Sequence, residues 1–165
     1  GLTTELCIVR LTEVDEFQRE ETGQWEKNER EVYTGQWMLC ELNREFPTWL
    51  TIWPRERMDK LFGSKTIRTG NETFDKRFNV SSDDEAAALH ILTPDCAEKI
   101  LALADSSFGK FAINLNSDGR LYLAVHSGHG FFDIGKGRED PAQLRRRFTC
   151  ELTWFTNMID VFRGA

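Results

Sequence analysis

The chain has few of the features that mark disulfide-rich, metal-binding or membrane-spanning proteins. Its 165 residues include four cysteines, which lie far apart beside apolar residues, and no Cys-x-x-Cys pair occurs. This spacing favours buried free thiols in a reducing compartment over a zinc site or a disulfide framework, although two long-range bridges stay open. No apolar run approaches the roughly 20 residues of a membrane span, and the first four residues lack the basic and apolar regions of a signal peptide. We therefore expect the chain to be soluble by itself.

Motifs of known enzyme chemistry are also missing. The sequence contains no Gly-x-Ser-x-Gly, no phosphate-binding loop and no dinucleotide fingerprint, and no cysteine stands beside a histidine. We predict no catalytic residue and no cofactor, and favour a protein that is not an enzyme.

Basic side chains are outnumbered by acidic ones. The net charge is -6, with 27 acidic and 21 basic side chains, and the acids dominate before residue 54. Because binding to a phosphate backbone needs clustered Lys and Arg, nucleic acid is excluded as an expected partner. The main basic stretch is Arg55, Arg57, Lys60, Lys65 and Arg68. It suits an acidic partner or anionic lipid head groups, and a solvated loop is the alternative.

Alternating apolar residues predict the strands of one domain spanning residues 1–165, a length that can bury a sizeable core. The predicted strands are 5–14, 31–42, 49–53, 111–116 and 120–125. Gly119 lies where a hairpin between the last two needs a positive φ. The charged stretch 15–30 is interpreted as a hairpin tip or a mobile loop.

Helical spacing appears twice after Pro94. Residues 94–107 carry apolar side chains at helical intervals, and so do residues 141–163, where one continuous stripe runs over about five turns. We expect the last helix to pack across its own sheet, with an oligomer seam as the alternative.

The segment 72–94 connects the two halves. Phe74 and Phe78 are spaced to share one side of a helical turn. Ser82 to Glu85 has the form of a capping box, and Thr93 with Pro94 suits a second helix start. The predicted fold is α+β: an antiparallel sheet of five to seven strands with two main helices packed on it.

Three groups of side chains are candidates for a site. Trp37, Trp49 and Trp53 could line a ligand groove or, as aromatic residues on adjacent strands often do, seal the end of a core. Arg55, Arg57 and Lys60 form the cationic alternative. His126 and His129 converge in a loop near Asp133 and are the candidates for a metal, although zinc needs three or four ligands.

Several segments resemble a bacterial family catalogued as domain of unknown function 3137. The matching segments are Tyr33-Thr34-Gly35, Asn43-Arg44-Glu45-Phe46, residues 74–86 and Leu92-Thr93-Pro94. The similarity is expected to run from near Glu5 to the last helix. The resemblance implies one or two membrane spans ahead of this soluble domain, a cytoplasmic location if two spans precede it, and no catalytic residues to carry over.

These patterns lead to one expected function with two alternatives. We expect a non-catalytic binding or scaffolding domain of a membrane-tethered bacterial protein, with an unknown protein or membrane partner. The alternatives are a metal-dependent or other hydrolase at the His126 and His129 loop, and a homo-oligomeric structural domain that assembles through its last helix.

Overall fold

The computed structural model describes residues 1–19, 23–55, 66–134 and 140–164. Its described strands form a six-stranded sheet in the order β1-β2-β6-β5-β3-β4, in which every neighbouring pair is antiparallel. The strands are β1 (Thr3–Gln18), β2 (Trp25–Glu41), β3 (Leu50–Pro54), β4 (Phe78–Ser81), β5 (Lys110–Leu115) and β6 (Arg120–His126). The helices are α1 (Glu72–Arg77), α2 (Glu85–Ile91), α3 (Pro94–Asp105) and α4 (Pro141–Arg163). The α+β prediction, the antiparallel sheet and its two long helices are confirmed.

The core lies on one side of the sheet, here called the inner face. Successive side chains in a strand point to opposite faces, so β5 and β6 present one apolar row inward. That row packs with buried residues of α3 and α4 in one cluster. Its fully buried members include Ile100, Ile113, Leu115, Leu121, Val125, Phe155, Met158 and Phe162. The helices thereby leave the other side of the sheet, the outer face, without a described helix to cover it.

Side-chain caps define where the helices begin. Thr93 accepts a hydrogen bond from the Cys96 amide at 3.3 Å, and Pro94 occupies the first turn of α3 as predicted. The predicted capping box at Ser82 is wrong, because Asp84 caps α2 by accepting from the Ala87 amide. Ser82 instead donates to the carbonyl oxygen of Trp49 at 2.6 Å.

The first two strands extend well beyond the sheet as a long hairpin. β2 pairs with β6 only from Gln36 to Glu41, whereas β1 and β2 pair along their whole lengths. Residues 15–18 and 25–30 therefore lie in the paired strands at the tip of this hairpin, so the hairpin-tip interpretation is confirmed and the mobile-loop alternative is wrong for these residues. Cross-strand ion pairs explain this, since Arg30 lies 2.5 Å from Glu13 across the hairpin.

The apolar stripe of α4 is divided between core and surface. From Trp154 onward it is buried, with Phe155 and Phe162 fully inaccessible, while Leu144 and Phe148 are half-buried. The packing of the helix across its own sheet is thus confirmed for its second half. No described helix is long and apolar enough to cross a membrane.

Candidate functional site

The three predicted tryptophans do not seal one end of the core. β2, which carries Trp37, is separated from β3, which carries Trp53, by β6 and β5. Residues that lie opposite each other on neighbouring strands point to the same face of the sheet. Trp37 lies opposite Ala124 and Trp53 lies opposite Asn79, and this register places both tryptophans on the outer face. Trp49 precedes β3 and is half-buried. The interpretation as a core seal is therefore wrong for Trp37 and Trp53, whereas the interpretation as groove residues stays a prediction.

A groove of about 410 Å³ crosses the outer face beside Trp37. Two rows of side chains across the sheet build it. One row runs from Trp37 through Ala124 to Ala112, and the next runs from Tyr122 to Asn114. The two alanines leave a depression beside the large aromatic rings. We call this feature the outer groove, and its lining is Trp37, Thr51, Ala112, Ile113, Asn114, Asn116, Tyr122, Leu123 and Ala124.

The wall of the outer groove is held in place by Tyr33. Trp37 donates its indole N-H to the Tyr33 hydroxyl at 2.9 Å. Gly35 lies between them, and a Cβ there would meet the Tyr33 hydroxyl oxygen at 2.5 Å and overlap the carbonyl oxygen of Val125. Burial raises the pKa of Tyr33, and the hydrogen bond from Trp37 partly opposes that shift. The absence of a side chain at Gly35 thus lets an aromatic ring cover the strand and position Trp37.

No charged side chain lines the outer groove, but acids border it. Glu5 lies opposite Leu39, and Glu41 lies opposite Arg120, both on the outer face by strand alternation. Both carboxylates are exposed. Arg120 offsets the charge of Glu41, so the border of the groove is polar and carries both signs of charge.

The structure separates the two histidines of the predicted metal site. His126 packs against Tyr33 on the outer face, with ring centroids 4.9 Å apart. His129 lies on the inner side, with its Nδ1 3.3 Å from the side-chain nitrogen of Gln36. The Asp133 carbonyl accepts a hydrogen bond from Arg147. The described residues contain no group of three or more His, Cys, Asp or Glu side chains that could hold a metal ion.

His129 belongs instead to a polar cluster at Glu151, which sequence reasoning missed. Gln36 donates to a Glu151 carboxylate oxygen at 2.9 Å. The other oxygen lies 3.6 Å from His129 and 3.7 Å from Arg147, which are ion-pair separations. The Glu151 side chain is only 4% exposed, so its carboxylate is not presented to a substrate. The cluster joins β2, the loop after β6 and α4, and the hydrolase alternative stays a prediction.

The cationic candidates fall partly outside the described residues. Arg57 and Lys60 lie there, whereas Arg55 is exposed directly after β3. Arg55 lines a separate cleft of about 320 Å³ with Lys76, Arg77 and Lys110. The sequence placed none of these last three near Arg55.

Comparison with models of known protein families shows to which family the chain is related. The family model for proteins of unknown function DUF3137 matches residues 31–163. The chain belongs to this family. The match to DUF3137 begins within β2, so β1 and the outer part of β2 lie outside it, and the similarity expected from near Glu5 starts later. No curated protein and no solved structure matches the chain.

The outer groove had a weak signal in the sequence. The two strands of the β5-β6 hairpin carry large apolar residues on one face and Ala112, Asn114, Tyr122 and Ala124 on the other. Small residues and a tyrosine on the polar face of a hairpin indicate a depression. The order of the strands, which brings Trp37 beside them, was not deducible from local pattern.

Proposed function

We propose that this chain is a non-catalytic binding domain of a membrane-tethered bacterial protein, and that its outer groove takes an apolar segment of a protein partner. The observation that carries the proposal is an uncharged groove, walled by Trp37 and Tyr122, on a sheet face that no described helix covers.

The composition of the surface supports a protein partner. The central parts of protein interfaces are depleted in charged residues and enriched in Tyr and Trp, and they are surrounded by a polar rim. The outer groove has this arrangement, with Trp37 38% exposed and the acids Glu5 and Glu41 at its border. Its volume of about 410 Å³ is enough for one or two large side chains of a partner.

Charge selects the kind of segment. The net charge of -6 attracts cationic partners over long range, and an acidic partner would be repelled. The partner segment therefore carries aromatic or aliphatic side chains for the groove and Lys or Arg beside them. A second copy of this acidic domain fits that requirement less well.

The membrane tether rests on the resemblance to DUF3137 proteins. Fractionation of the natural protein tests it, because an integral protein stays in the membrane pellet after washing with high salt and alkaline carbonate. Release into the soluble fraction would contradict the tether without affecting the groove.

The groove is tested by selecting ligands from a random peptide library displayed on phage. We expect peptides with an apolar pair next to Lys or Arg to be enriched on the wild-type domain. Ala124→Arg places a long cation in the groove and should weaken the selected peptides at least ten-fold, since both volume and charge oppose them.

The matched control is Ala102→Arg, which adds the same side chain at an exposed position of α3. Circular dichroism should show both variants folded. Failure to enrich any peptide, or equal binding to both variants, would contradict the proposed function.

A further inference from the structure

The cleft beside Arg55 is distinct from the outer groove and has the opposite charge. The cleft has a volume of about 320 Å³ and lies between the end of β3, the last turn of α1 and the start of β5. Its cations are Arg55, Lys76, Arg77 and Lys110, and its floor includes Phe78 and Phe111. Four cations around one cleft are notable in a domain whose net charge is -6.

Arg55 is hydrogen-bonded to uncharged partners through its amide and its guanidinium. Its amide donates to the Arg77 carbonyl at 2.8 Å, which fixes the backbone beside α1. Its guanidinium Nε donates to the side-chain oxygen of Asn79 at 3.1 Å, and Asn79 is only 3% exposed. Among the described residues the guanidinium of Arg55 forms no ion pair, so its two terminal nitrogens keep their charge and their donors.

The other cations are arranged around this fixed guanidinium. Arg77 pairs with Asp105 at 2.6 Å and lies over the Phe78 ring, which orients its fork. Lys76 pairs with Glu72 at 3.2 Å on the exposed surface of α1. Such solvent-exposed pairs are weak and exchange readily, so both side chains can turn to a bound anion.

We propose that this cleft binds the phosphate group of a small ligand or of a lipid head group. A guanidinium fixed through Nε presents its terminal nitrogens as a pair, and that geometry matches two oxygens of a phosphate. Arg55 is the positioning contact, and Arg77, Lys76 and Lys110 supply surrounding positive charge. The apolar floor at Phe78 and Phe111 accommodates the organic part next to the phosphate.

The test measures phosphate binding to the whole chain by NMR, with inorganic phosphate titrated against chloride at constant ionic strength. We expect saturable shifts of the amide signals of Arg55, Arg77 and Lys110. Arg55→Gln should weaken binding about ten-fold or more, because it removes a charge-assisted bidentate contact. Arg55→Lys keeps the charge but loses the fork and should not restore binding fully.

The control is Arg120→Gln, which removes the same side chain from the first residue of β6, where Arg120 lies 3.5 Å from Asp118. Cosedimentation with vesicles of phosphatidylcholine, with and without phosphatidic acid, distinguishes the source of the phosphate. Binding to phosphatidic acid that depends on Arg55 assigns a lipid, and binding to inorganic phosphate alone assigns a soluble ligand. Absence of binding to both, or equal binding by Arg55→Gln and Arg120→Gln, overturns the proposal.

Discussion

Replacement of Gly35 by alanine tests how the outer groove is built. The added Cβ would meet the Tyr33 hydroxyl oxygen at 2.5 Å and its ring carbon Cζ at 2.7 Å, and would overlap the Val125 carbonyl oxygen. The tyrosine can turn away, but the carbonyl belongs to the backbone of β6 and moves only with the sheet. Tyr33 would then no longer accept the hydrogen bond from Trp37.

The expected loss in the free energy of unfolding follows from these two contacts. Overpacking of a well-ordered site costs about 1–3 kcal/mol, and the lost hydrogen bond costs about 0.5–1.5 kcal/mol. Alanine has fewer backbone conformations than glycine in the unfolded chain, and this difference stabilises the folded state by about 0.4–1 kcal/mol. The three terms sum to about 0.5–4 kcal/mol, so we expect Gly35→Ala to lower the free energy of unfolding by about 2 kcal/mol, which lowers Tm by roughly 4–8 °C for a domain of this size.

Urea unfolding and near-ultraviolet circular dichroism measure the two effects. Gly164→Ala is the control, because a Cβ there has an ordinary contact of 3.6 Å with the Asp160 carbonyl oxygen. Tyr33→Phe removes the hydrogen bond alone and should change the tryptophan signal with a smaller loss of stability. If Gly35→Ala is as stable as Gly164→Ala and its spectrum is unchanged, the close approach of β2 and β6 at Gly35 is wrong.

Two further predictions concern the thiols and the polar cluster. Burial raises the pKa of Cys96 to about 12, so its thiol stays protonated and unreactive at pH 8. Cys40 is fully buried, whereas Cys7 and Cys150 are exposed. We expect Ellman's reagent at pH 8 to modify two thiols in the native protein and four in denaturant; rapid reaction of a third would contradict the burial. Glu151→Ala leaves the fully buried Gln36 and the partly buried His129 and Arg147 without their carboxylate and should cost about 2–4 kcal/mol in urea unfolding. Glu98→Ala, at an exposed position of α3, should cost less than about 0.5 kcal/mol, and equal costs would refute a stabilising role for the cluster.

Local physics explains why much of the fold was predictable. The alternation in β5 and β6, the turn at Gly119 and the cap formed by Thr93 with Pro94 each act within a few residues. Phe74 and Phe78 share one side as expected, with ring centroids 5.1 Å apart.

Long-range arrangement explains the errors. The mobile-loop interpretation of residues 15–30 was wrong because the cross-strand contacts there, such as the pair of Arg30 with Glu13, join segments that are separate in the sequence. Trp37 and Trp53 looked adjacent because their strands follow one another in the chain, and the later β5-β6 hairpin inserts between them. The same insertion creates the outer groove. His126 and His129 are separated because His126 packs on Tyr33 at the end of β6 and the loop that follows takes His129 to Gln36.

NMR mapping of a selected peptide on the isotope-labelled domain is the decisive test of the outer groove as the binding surface. We expect the largest shifts on Trp37, Ala112, Tyr122 and Ala124, and we expect them to disappear in Ala124→Arg. Shifts centred on the exposed half of α4, at Leu144 and Phe148, and unaffected by Ala124→Arg, would contradict it.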